Sequence, residues 1–129
     1  MIPPWLRLLA RWIPALLWMA VIYYWSSQSS TPSPGWLVSK LAHVGEYSVL
    51  AALLAFALAR SRRWMLLAWL LATLYAGSDE LHQAFTPQRH PMLSDVALDS
   101  AAAILGLQVS RTLRFRWSWA SSLARGGRR

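Results

Sequence analysis

The chain has 129 residues, enough for one ordinary domain, yet 56% are apolar, nine are Trp and only 14% are charged, where soluble domains carry about 25% charged residues. There is no Cys, which excludes a disulfide framework and a thiolate metal site. The net charge is +8, but ten of the thirteen basic residues (Arg7, Arg11, Arg60, Arg62, Arg63, Arg111, Arg114, Arg116, Arg128 and Arg129) flank apolar runs; with no nucleic-acid-binding motif beside them, membrane lipids rather than nucleic acid are the expected partners.

A bilayer core takes about 20 helical residues to cross, and four segments of that length follow one another. The first runs from about Leu8 to Trp25, with Arg11 near enough its end to snorkel. Two Arg before an apolar run also describe a signal peptide. Pro14 interrupts this run, Tyr23-Tyr24-Trp25 closes it and no small-x-small cleavage site follows, so a retained membrane helix is expected. An uncharged loop at 26–35, rich in Ser and Pro, leads to the second segment, about Trp36 to Ala59. Arg60-Ser61-Arg62-Arg63 leads to the third, about Trp64 to Phe85, and Thr86-Pro87-Gln88-Arg89-His90-Pro91 to the fourth, about Met92 to Ser110. The basic tail from Ser118 to Arg129 is expected to fray or lie on the membrane surface, which leaves residues 1–117 as one membrane domain. Trp5, Trp12, Trp25, Trp36, Trp64, Trp117 and Trp119 fall near segment ends, where an amphipathic ring suits the headgroup level, while Trp18 and Trp69 are interior.

Direction follows from charge. The amino end, the 60–63 connection and the carboxyl tail are Arg-rich, whereas the 26–35 loop is uncharged and the 86–91 loop carries only Arg89. The predicted fold is therefore an all-α integral membrane bundle of four transmembrane helices with both termini cytoplasmic. Small residues mark the helix contacts: Ser48, Ala52, Ala55 and Ala59 form a stripe on the second helix, and Ala102, Gly106 and Ser110 recur every four residues on the fourth.

The five acidic residues are Glu46, Asp79, Glu80, Asp95 and Asp99. All lie within the second, third and fourth segments, in the half nearer the outside. A charge at a membrane-helix centre costs about 2.5–3.5 kcal/mol on insertion scales, so these groups should face one another or a wet cavity. Helical spacing groups them further. Lys40, His43, Glu46 and Tyr47 share one face; Asp79 and Gln83 are four apart, as are Ser78 and His82, and Glu80 and Gln83 are three apart; Asp95 and Asp99 are four apart. Arg89 and His90 lie in the adjoining loop. Against the five acids, Lys40 and Arg89 leave an excess of three negative charges. Protonated acids, a protonated His or a bound cation would each resolve it.

Lys40-x-x-His43-x-x-x-Tyr47, then Asp79-Glu80-x-His82-Gln83-x-Phe85-x-Pro87-x-Arg89, then Ser94-Asp95-x-x-x-Asp99 and Gly106 resembles the VanZ-like family over about residues 36–110. Members of that family are small multi-helix membrane proteins without an established biochemical activity, named for a protein associated with low-level teicoplanin resistance. The resemblance implies a multi-pass protein of the bacterial cytoplasmic membrane with an envelope-related role. Two positions depart from the family pattern, which commonly has Gly in place of Gln88 and of Ala102.

Three functional classes fit these residues. In the first, the site acts on a lipid-linked envelope molecule at the outer leaflet. Glu46, Asp79, Glu80, Asp95 and Asp99 then supply acids and bases, His43 moves a proton, and Lys40 and Arg89, with Tyr47, His82 and Gln83, hold the substrate. A metal-assisted version places a divalent cation among His43, Glu46 and the fourth-segment acids. In the second class, the site binds a lipid carrier, a cell-wall precursor or a glycopeptide without chemistry. A proton-coupled transporter is the third, and no inverted repeat supports it. Opposed to all three is a buried ion-pair network that fixes helix register and has no ligand.

Overall fold

The computed structural model describes residues 3–28, 35–87, 89 and 91–126, and within them the chain is all-α, with no strand. Five helices follow in order: α1 (Pro4–Ala10), α2 (Ile13–Ser26), α3 (Trp36–Ala57), α4 (Trp64–Gln83) and α5 (Leu93–Gly126). Gln88, His90 and the centre of the 26–35 loop lie outside the described residues.

The first apolar segment is not one helix. Pro14 has no N–H to give the Ala10 carbonyl, and its ring collides with that carbonyl in a continuous helix. The chain therefore turns at Arg11 and Trp12, whose amides bond the Leu8 and Leu9 carbonyls at 3.2 and 3.0 Å, and restarts as α2. Pro4 stands in the first turn of α1, where a missing N–H costs nothing. Gly35 precedes α3 with φ 83°, a conformation that excludes most side chains.

The fourth segment is longer than its apolar stretch predicts. α5 continues past Ser110 to Gly126, through most of the tail expected to fray or lie on the membrane surface. Helix geometry here is set by backbone hydrogen bonds and residues of good helix propensity such as Leu, Arg and Ala, not by bilayer thickness.

Among the described residues, three helical stretches are long and apolar enough to cross a membrane: Trp5–Ser26 (α1 and α2 taken together), Leu37–Ala57 and Leu93–Arg114. The fourth expected span, α4, has the length, at 20 residues, but Asp79, Glu80, His82 and Gln83 crowd its last turns and lower its mean hydropathy.

From α2 to α5 the helices alternate in direction. Arg11 at the head of α2 donates to the Phe56 carbonyl at the foot of α3 at 2.6 Å, and Arg114 on α5 donates to the Ala59 carbonyl at 3.0 Å. Each guanidinium also covers a ring, Phe56 under Arg11 at 4.8 Å and Trp64 under Arg114 at 4.6 Å. The two arginines thus add donors to carbonyls at the end of α3, of which that of Phe56 also accepts the Ala59 amide at 3.4 Å.

The core is built from small residues. α3 packs most extensively on α5, and α4 on both. Ala68, Ala72 and Ala76 of α4 are fully buried, as are Ala51 and Ala103 on the facing helices. Gly106 lies against the backbone of Ser48, where an added Cβ would collide with the carbonyl. Large apolar side chains such as Leu17, Leu41, Leu74 and Leu105 point outward. Small residues inside and leucines outside suit a helix bundle whose surroundings are as apolar as its core.

Candidate functional site

The polar residues gather at the end of the bundle opposite Arg11 and Arg114. Lys40 and His43 stand in the first two turns of α3, and Asp95 and Asp99 in the first two turns of α5, on faces turned to each other. Lys40 Nζ pairs with Asp95 Oδ1. One turn deeper, His43 Nδ1 lies 3.2 and 3.3 Å from the two carboxylate oxygens of Asp99, a residue only 1% exposed. A third bond continues the series: Ser48 Oγ donates to the Ala102 carbonyl at 2.9 Å, beside the Gly106 contact. The α3 and α5 faces are thereby matched in one register by the Lys40–Asp95 ion pair, the His43–Asp99 contact, a hydroxyl bond and a backbone approach. Ala102, one of the two departures from the family pattern, is buried and keeps this approach close.

α4 brings the remaining acids. Its buried face changes character along the helix, from Ala68, Ala72 and Ala76 to Asp79, Glu80 and Gln83. Gln83 Nε2 donates to Asp79 Oδ2 at 3.0 Å, the four-residue spacing expected. Glu80 Oε2 instead accepts the Met92 backbone N–H at 2.8 Å and so anchors the start of α5. Tyr47 is fully buried, its ring 6.5 Å from that of His43 and 6.4 Å from that of Tyr75. Asp79, Asp99 and Glu46 are its neighbouring carboxylates.

Among the described residues, two buried side-chain atoms have no hydrogen-bond partner: the Tyr47 hydroxyl and Asp79 Oδ1. Orphaned polar atoms in a protein interior are rare, and each calls for an explanation such as a water, an ion or a ligand that completes it. Here one can donate and the other accepts.

Other sequence-predicted residues take different places. Arg89 does not join Lys40. Its Nε and Nη2 donate to the Gln28 and Trp25 carbonyls at 3.3 and 3.2 Å, capping the end of α2. His82 Nε2 is 3.0 Å from Ser27 Oγ, and its ring lies 4.5 Å from that of Tyr23. Ser78 bonds its own helix at the Tyr75 carbonyl, at 2.8 Å. His82 and Arg89 therefore tie α2 to the site's edge. Among the described residues, no three His, Asp or Glu side chains come together as a metal ligand set, so the divalent-cation arrangement of His43, Glu46 and the α5 acids is not assembled.

Sequence reasoning missed several supports. Trp18 donates to the Glu46 carbonyl at 2.9 Å, and Tyr75 to the Met19 carbonyl at 2.6 Å. Ser100, next to Asp99, receives the Thr73 hydroxyl at 3.0 Å, and its carbonyl receives Trp69 at 3.3 Å. The available signal was an interior Trp or Tyr, whose polar tip needs a partner wherever it is buried.

No curated protein and no solved structure matches the chain. A family match does exist and takes in all five helices at least in part, the first apolar segment and the whole polar cluster included: residues 8–114 match VanZ/LLP1, and the chain belongs to that family.

Proposed function

We propose that this protein crosses the bacterial cytoplasmic membrane four times, with both termini inside, and that its polar cluster binds the head of a lipid-linked envelope molecule at the outer leaflet. Antiparallel helices and the shared end of Arg11, Arg60 and Arg114 support the topology, because the positive-inside rule then puts that end in the cytoplasm. α4 makes the fourth crossing with its acids turned inward, as intramembrane carboxylates require.

The observation that carries the ligand reading is the orphaned pair, Tyr47 hydroxyl and Asp79 Oδ1, beside ion pairs that span α3 and α5. An end of the bundle that carries buried Asp79, Glu80 and Asp99 is rich in acceptors. It suits a ligand rich in O–H and N–H donors, such as the sugar or peptide head of a cell-wall precursor, with Lys40 as the nearest cation for its phosphate. Influence on teicoplanin susceptibility would act through that envelope ligand. The test is a titration of protein in neutral nanodiscs with a polyprenyl phosphate and with its glycosylated form. The glycosylated form should bind at least about ten-fold more tightly, one well-formed polar contact being worth about that factor. Equal binding of the two, or none, would contradict a donor-reading site.

One observation favours a second reading. Lys40–Asp95, His43–Asp99 and Ser48–Ala102 stand in a single register along α3 and α5. A network built only to fix that register would have the same pairs and no ligand.

A further inference from the structure

At the Arg-rich end, opposite the acids, Arg7, Leu8, Arg11 and Arg60 line an open pocket of about 130 Å³. Arg7 and Arg11 are four residues apart, at the end of α1, so they share a face. Arg60 reaches the same space from beyond the end of α3. The three guanidinium groups have no acid beside them, since all five acidic side chains lie on α3, α4 and α5 toward the other end. Like charges at this spacing repel. Arg11 is nevertheless held in place, by its bond to the Phe56 carbonyl and by the Phe56 ring.

A held guanidinium flanked by two others offers planar, paired donors of the kind that bind phosphate oxygens. Leu8, and the outward-facing Trp5 and Leu9 nearby, set this pocket beside the apolar surface rather than in open water. Basic pockets at the ends of membrane helices take acidic lipid headgroups. We propose that Arg7, Arg11 and Arg60 form a binding site for a phosphate-bearing anion, the headgroup of an acidic membrane lipid, at the end of the bundle away from the acid cluster.

The experiment uses the full chain in neutral detergent, with Trp fluorescence following thermal unfolding. Short-chain phosphatidylglycerol, short-chain phosphatidylcholine and inorganic phosphate are titrated separately. Two double variants are compared: Arg7→Gln with Arg60→Gln, and Arg62→Gln with Arg63→Gln. The second pair is exposed and outside the pocket, and it removes the same charge. Phosphatidylglycerol or phosphate, but not phosphatidylcholine, should raise the unfolding temperature. The first double variant should lose about 30-fold in apparent affinity, at about 1 kcal/mol for each basic residue, and the second should stay within about two-fold. The anion that binds at the lower concentration identifies the source, lipid headgroup or free phosphate. No stabilisation by either anion, or equal loss in both double variants, overturns the proposal. Lipid retained on the protein in native mass spectrometry gives a second readout that does not depend on unfolding.

Discussion

Asp99 is 1% exposed, and the His43 imidazole on α3 is its hydrogen-bonding partner. Removing one member of such a pair leaves the other buried and unmatched, which costs about 3–5 kcal/mol, whereas replacing both with apolar residues is close to neutral. His43→Ala alone should therefore lower stability by about that amount, and His43→Leu with Asp99→Leu should recover most of it; unfolding curves in detergent check both. Gly106 acts by shape alone. A methyl group there meets the Ser48 carbonyl, so Gly106→Ala should cost about 1–3 kcal/mol as α3 and α5 are forced apart, read as a lower unfolding temperature. At this scale the sequence was informative about membership and poor about partners. Five acids among apolar segments announce themselves by their desolvation cost. Helical spacing puts Lys40 and His43 on one face, but which acid each meets depends on the registry of α3 against α5. Arg89 shows the limit: its charge suggested an anion, and its donors went to the carbonyls of Trp25 and Gln28.

Helix ends are where expectation and structure part. α3 begins and ends close to its predicted limits, because Gly35 breaks the chain before it and the Arg-rich connection follows it. α5 does not, because hydropathy reports where lipid stops and says nothing of where backbone hydrogen bonds stop. The break between α1 and α2 was legible in Pro14, although an apolar run hid it. Pro14→Ala should restore the bond to the Ala10 carbonyl and merge α1 with α2. Spin-label distances between Leu6→Cys and Leu17→Cys, in a chain with no native Cys, should lengthen toward the value for one straight helix. Arg89→Ala should free the carbonyls at the end of α2 at a cost of about 1 kcal/mol; faster hydrogen exchange near Trp25 and Gln28, with α4 unaffected, is the expected result.

Among the described residues, charge is divided by position: the arginines other than Arg89 toward one end, carboxylates near the other, and alanines between them. That division was legible from the sequence because each kind of residue has its own cost in lipid. What the fold adds is closeness, through a core of Ala and Gly that lets α3 and α5 bring Lys40 to Asp95 and His43 to Asp99. The topology that follows is open to single-cysteine labelling without background: Ser61→Cys should react only from the cytoplasmic side and Thr86→Cys only from outside. The central claim is that the paired charges serve a ligand as well as helix register, and the most direct measurement is binding by the doubly apolar variant. His43→Leu with Asp99→Leu keeps the α3–α5 contact without its deeper ion pair. Its unfolding curve should be close to wild type, while its affinity for the glycosylated polyprenyl phosphate falls by at least about ten-fold, the equivalent of about 1.4 kcal/mol. A variant that folds and still binds as the wild type does would contradict the account and leave the charges as elements of helix register alone.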